Sequence, residues 1–190
     1  ATAKFGKVTF KYQEVKEGIA DWNIFNPKTD EVPKNVGTYR LIAEVDADKD
    51  GNYDKLRSSE TQFTIAPAEV TVIAENQSSV YGQGVQNLTY SMKVLKGKLT
   101  DQEKTDLGIS LSTTAAKRSE VGTYPITVTA QKNDNVTLTA VEGTYKITPA
   151  LMQANTTDAV FTYDGTAHSI QAPEITANGE KLNPDAIYYS

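Results

Sequence analysis

The densest run of chemically capable side chains is Asp46-Ala47-Asp48-Lys49-Asp50-Gly51-Asn52-Tyr53-Asp54. Carboxylates at alternating positions before a glycine present hard oxygens from one tight turn, as calcium loops do. Counted from Asp46, Gly51 holds the sixth position, where such a loop turns sharply. The twelfth holds Arg57, where a calcium loop carries a bidentate glutamate. A corresponding turn later in the chain, Gln131-Lys132-Asn133-Asp134-Asn135, has a single acid, so the fold does not require a metal there. Asp46, Asp48, Asp50, Asn52 and Asp54 are therefore candidate calcium ligands, of the weak kind found in extracellular modules. A solvated acidic hairpin turn is the favoured reading. No other cofactor is expected.

The other resources for chemistry are few. The chain has one histidine, His168, and no cysteine. A nucleophile-histidine-acid set would have to use His168, and a zinc site needs more soft ligands than exist. The Tyr81-Gly82-Gln83-Gly84 stretch lacks the Lys-Ser/Thr of a phosphate loop and leads into more strand. No enzymatic activity is expected. Trp22, the single tryptophan, is a candidate for stacking on a sugar face, with a buried core role the favoured alternative. A formal net charge of −5 argues against nucleic acid, which selects basic surfaces. No apolar run approaches the roughly 20 residues of a membrane span, so membrane insertion is not expected.

The elements that would position these residues repeat. Val36-Gly37-Thr38-Tyr39 returns as Val121-Gly122-Thr123-Tyr124, 85 residues later. Phe63-Thr64-Ile65-Ala66-Pro67-Ala68 is answered by Tyr145-Lys146-Ile147-Thr148-Pro149-Ala150, 82 residues later, and Tyr81-Gly82 by Tyr163-Asp164-Gly165, again 82 later. Three marks recurring at 82 to 85 residues define an array. It divides into an incomplete repeat over residues 1–68, a complete one over 69–150 and the first part of a third over 151–190. The first repeat is expected to lack its first strand, and the chain reads as a window on a longer tandem protein.

Within the repeats, short alternating runs rich in Thr, Val, Ile and Tyr predict strands, among them residues 7–12, 38–45, 62–66, 69–75, 88–94, 109–114, 124–131, 136–140 and 144–148. Pro125 lacks a backbone donor and places the start of its strand at an edge or outside the ladder. Residues 99–108 predict one helix of two turns at most, with Thr100 as N-cap, Glu103 completing a capping box and Gly108 beyond the end. The third repeat is expected to open with a strand over Ala159–Tyr163, and His168 to lie on a first strand. Gly-x-Tyr at a strand entrance is the pattern of a tyrosine corner, a plain packed aromatic being the alternative. The Ile-x-Pro-Ala mark ends one repeat and starts the next with almost no linker. The expected fold is all-β: tandem Ig-like β-sandwich modules in an elongated rod, with β-grasp-like modules carrying a short helix as the alternative.

These marks carry a resemblance. The stretch from Val70 through Tyr81-Gly82 and Val121–Tyr124 to Pro149-Ala150 resembles the MBG domain of YGX type. The first repeat, with Pro33-x-x-x-Gly37-Thr38-Tyr39 and the later Asn52-Tyr53, is similar to Ig-like repeats of Gram-positive surface proteins. The resemblance implies a cell-wall-anchored or secreted protein of host-associated bacteria, at the cell surface, linked to adhesion on mucus. The implied partners are host mucin or other glycoprotein glycans; the alternative is a stalk that binds nothing and spaces another domain from the wall. Asn76, Asn87, Asn135 and Asn155 each open an Asn-x-Ser/Thr; in a bacterial protein they mark a polar surface. Two further expectations concern self-association. Neighbouring repeats pack on one another. The tail 151–190, lacking partner strands and mobile when alone, exchanges strands head to tail with the first repeat of another chain.

Overall fold

Thr, Val and aromatic residues at alternate positions give strands wherever the sequence shows them. The computed structural model describes residues 7–16, 29–47 and 53–183. It contains fourteen strands and one helix among them. In chain order these are β1 Val8–Glu14, β2 Gly37–Val45, β3 Leu56–Arg57, β4 Thr61–Ile65, β5 Ala68–Ala74, β6 Gln77–Val80 and β7 Tyr90–Lys96. The helix α1, Asp101–Asp106, follows. Then come β8 Ser110–Thr113, β9 Gly122–Thr129, β10 Val136–Val141, β11 Gly143–Thr148, β12 Met152–Asn155, β13 Glu174–Ala177 and β14 Glu180–Leu182. The fold is all-β apart from this short helix, with several sheets, in keeping with a sandwich-type architecture.

Each predicted strand among residues 7–148 is present within one or two residues. The helix ends as its caps require. The Thr100 side chain accepts from the Glu103 N–H while the Glu103 carboxylate accepts from the Thr100 N–H, and Gly108 takes φ 53° past the end. Pairing between β9 and β8 begins at Ile126, one residue after Pro125, so on that side the proline lies outside the ladder.

The chain forms two compact units, each assembled from several stretches of chain. One comprises residues 1–71, 93–107 and 131–139; the other 72–92, 108–130 and 140–190. In the first unit, β1 and β4 flank β2 as antiparallel partners, and β3 adds to the distal end of β2. Ile42 and Tyr39 are the buried apolar residues of β2, Val70 and Leu107 are buried elsewhere in the unit, and Tyr39 stacks on Phe63 across the strands at 5.6 Å. In the second unit a mixed sheet runs in the order β6-β11-β9-β8, with β6 parallel to β11. Its core gathers Ala74, Ala115, Ile126, Tyr145 and Ile147, with Leu88, Leu111, Tyr124 and Val128 packed against them.

The repeat seen in sequence is also a repeat of register. In the first sheet Gly37 faces Ile65 and Tyr39 faces Phe63; in the mixed sheet Gly122 faces Ile147 and Tyr124 faces Tyr145. The same marks therefore hold the same ladder positions, which is the physical content of the 82- to 85-residue period.

The tail departs from expectation. Residues 156–173 contain no strand, so neither Ala159–Tyr163 nor His168 lies on one. Val160 is 97% exposed and Tyr163 94%. In the complete repeat the corresponding stretch is β6, which is held only by its parallel partner β11. No strand corresponding to β11 pairs with residues 159–163 among the described residues, so the backbone bonds that would make a strand of them are missing. Nor is the tail without partner strands. β12, β13 and β14 form an antiparallel sheet, turned by Asn178-Gly179 at φ 51° and 77°. Both positive angles suit a two-residue hairpin turn, and Asn-Gly is the favoured pair for it.

Candidate functional site

The repeated tyrosines are bonded internally. Tyr39 donates its hydroxyl to the Asn35 carbonyl at 2.9 Å, and Tyr124 donates to the Glu120 carbonyl at 2.8 Å. Both bonds reach four residues back across the turn that enters β2 or β9, which is a tyrosine corner in each repeat. The fit at Gly37 is close: a Cβ there would meet the Tyr39 ring at 3.2 Å and displace it by a few tenths of an ångström, whereas at Gly122 a Cβ would meet the Tyr124 ring at 4.0 Å. Tyr145, fully buried on β11, accepts a hydrogen bond from the Gln86 N–H at 2.9 Å and so ties the loop after Tyr81-Gly82 to the core.

Two of the concave surfaces among the described residues bear on the repeated marks. On the first unit a cleft of about 460 Å³ is lined by Tyr12, Gln13, Glu14, Thr29, Lys34 and Tyr39 among others. It mixes ring faces, an amide and both signs of charge. On the second unit an apolar groove of about 420 Å³ is lined by Tyr81, Val121, Pro149, Met152, Ala177 and Leu182, with Glu120 at its margin. This groove brings the Tyr-Gly turn and the turn entering the second VGTY onto one face.

The sequence-derived candidates are placed as follows. Trp22, Asp48, Asp50 and Asn52 lie outside the described residues. Asp46 and Asp54 are exposed. Among the described residues no group of three or more His, Asp or Glu gathers to hold a metal. His168 stacks on Phe161 at 4.7 Å, nearly parallel, and its Nε2 lies 3.0 Å from an Asp164 carboxylate oxygen. The Thr166 hydroxyl donates to Asp164 at 2.6 Å. Asp164 is held below the ordinary aspartate value of 3.8, first by the Thr166 hydroxyl, then by the Thr166 N–H, and further by His168. The cluster braces the Tyr163-Asp164-Gly165 turn.

The asparagines carry roles that the sequence showed only as an acceptor pattern. Asn76 Oδ1 accepts from the N–H and hydroxyl of Thr144. Asn135 Oδ1 accepts from the Val36 N–H at 2.8 Å, its Nδ2 donates to Asn35 Oδ1 at 3.2 Å, and its carbonyl accepts from the Ala68 N–H at 2.9 Å. Val36, which opens VGTY, and Ala68, which closes the Ile-x-Pro-Ala mark, connect this network to sequence marks.

The marks themselves decide the relationship: Tyr81-Gly82, the second VGTY and its corner all fall inside one domain match. Residues 70–146 match the MBG domain, YGX type. No curated protein and no solved structure matches the chain. The MBG match lies within the repeat of residues 69–150 and is of the kind the sequence resembles. MBG domains are typical of the repeat regions of extracellular surface proteins. Among the described residues no helix is long and apolar enough to cross a membrane.

Proposed function

We propose that this MBG-containing segment is a structural spacer of a bacterial cell-surface protein, holding another domain away from the cell wall. The single observation that supports this reading is the use made of the signature residues. Tyr39 and Tyr124, the most regular feature of the repeats, direct their hydroxyls into the backbone of their own turns. A residue held this way stiffens a strand entrance and has its polar end engaged. The MBG match supports the placement in a surface-protein repeat region; cell-wall anchoring and secretion belong to this proposal.

A second reading, adhesion to host mucin glycans, is favoured by one observation: the cleft at Tyr12 and Gln13 has the mixed aromatic and polar lining that sugars bind. A mucin pull-down and a glycan array with the whole chain separate the two. The spacer reading predicts no binding above a control protein of equal charge. Saturable binding that falls on Tyr12→Ala would overturn it in favour of adhesion.

A further inference from the structure

Pro67-Ala68 and Pro149-Ala150 each end one repeat and start the next, and the structure shows a different set of bonds beside each. At the first, the turn entering VGTY is held by the turn between β9 and β10 of the following repeat, where the chain passes from one sheet to the other. The Val36 N–H donates to Asn135 Oδ1 at 2.8 Å, and Asn135 Nδ2 donates to Asn35 Oδ1 at 3.2 Å. That turn is itself braced, because Asn133 Oδ1 accepts from the Asn135 N–H at 2.9 Å. At the second, the Tyr-Gly turn is held by the β13–β14 hairpin of the following repeat. Asn178 Nδ2 donates to the Tyr81 carbonyl at 2.5 Å, and Lys117 pairs with Glu180 at 3.4 Å. Asn178 sits at φ 51° in the tip of the β13–β14 turn, and a Cβ on Gly82 would come within 3.3 Å of its amide.

In the middle repeat the two kinds of turn lie on one surface. Tyr81, Glu120 and Val121 line the same apolar groove, with Pro149 and Ala150 among the lining residues. Glu120-Val121 stands in the middle repeat where Asn35-Val36 stands in the first. The face of a repeat that bears its exit to the next thus carries both signature turns.

We propose that the Tyr-Gly turn and the turn entering VGTY together form the docking face for the following repeat, recognised through asparagine-bearing turns. This explains why two motifs distant in the chain travel together in the repeat: they meet the same neighbour. It also explains an open backbone carbonyl at Tyr81 and an open backbone N–H at Val36, each satisfied by a side-chain amide. An amide supplies a donor and an acceptor without charge, so two such turns dock without burying an ion. The inference rests on reading the segment as serial repeats. Its test reads individual amides and is independent of whether the chain binds mucin.

The test is amide hydrogen exchange and ¹⁵N relaxation on the whole labelled chain. In Asn135→Ala, Val36 should exchange about five- to tenfold faster, the worth of one ordinary hydrogen bond, while Ile126 and Tyr145 keep their protection. Asn135→Asp keeps the acceptor, and Asn35 can rotate its amide to donate to it, so Val36 should stay protected. In Asn178→Gly the turn keeps a residue that accepts positive φ and loses only the amide. Residues 174–182 should then relax separately from 122–148. Should Asn135→Ala fail to fold, loss of Val36 protection in Asn135→Asp would overturn the proposal on its own. Unchanged Val36 exchange in a folded Asn135→Ala, or unchanged relaxation of 174–182 in Asn178→Gly, would overturn it equally.

Discussion

Tyr145 offers the sharpest separation between packing and polar contributions in the MBG repeat. Its ring is wholly buried among Ala74, Ala115, Ile126 and Ile147, and its hydroxyl oxygen accepts from the Gln86 N–H. Tyr145→Phe keeps the ring and removes that bond. Gln86 is exposed, so water can satisfy its freed N–H, and the loss should be that of one ordinary hydrogen bond, about 1 kcal/mol. For a unit of this size that lowers the melting temperature by about 4–8 °C. Tyr145→Ala removes the ring as well and leaves a cavity. By the range for aromatic-to-alanine changes this costs about 3–5 kcal/mol, a large share of the roughly 5–15 kcal/mol that holds a domain together. Circular dichroism melts of the three proteins, with urea midpoints as a second measure, give the ratio. A phenylalanine variant as damaged as the alanine one would refute the division proposed here. So would an alanine variant as stable as the parent.

Gly143 is the next most constrained position. A Cβ there would lie 2.7 Å from the Ala74 carbonyl oxygen, a backbone atom that cannot swing away. Gly143→Ala should destabilise the MBG repeat by about 1–3 kcal/mol, read by urea unfolding. Glu103 is held below its ordinary value of 4.5 by the Thr100 N–H first and the Thr100 hydroxyl second. A carboxylate with a lowered folded value contributes its stabilisation above the unfolded value and loses it as pH falls through the folded one. Helix α1 should therefore fray only as pH drops below 4.5. Thr100→Ala should move the Glu103 midpoint part of the way back up, measured by NMR titration, because the backbone donor remains. Head-to-tail strand exchange, with residues 159–163 adding to the first repeat of another chain, predicts a mass that rises with concentration in sedimentation. Val160→Asp should abolish that rise, and a strict monomer at millimolar concentration would end the idea.

The parts of the fold that residue type alone determines were legible. Alternating Thr, Val and Tyr gave β2, β5, β9 and β11, and Thr100, Glu103 and Gly108 bounded α1. The Gly-x-Tyr mark gave both tyrosine corners. What could not be read was pairing that depends on distant chain. β6 is Gln-Ser-Ser-Val, a sequence without strand character, made a strand by its parallel partner β11. The apolar run Ala159–Tyr163 has strand character and no such partner, so it forms none. Asn135 showed a glycosylation-like pattern, and its bonds to Asn35 and Val36 cross about 100 residues of sequence, beyond the reach of any local rule. The face that joins Tyr81 to Val121 was hidden for the same reason. Each residue was marked by repetition, and only the fold brings them together.

The central claim is that the signature residues of the repeats serve structure and that the segment acts as a spacer. Mucin O-glycans titrated into ¹⁵N-labelled chain, observed by NMR at every amide, test it most directly. The spacer account predicts no saturable shift, either around the Tyr12–Asn35 cleft or beside Tyr39, Tyr124 and Tyr145. Saturable shifts confined to the cleft residues Thr29–Asn35 would contradict it.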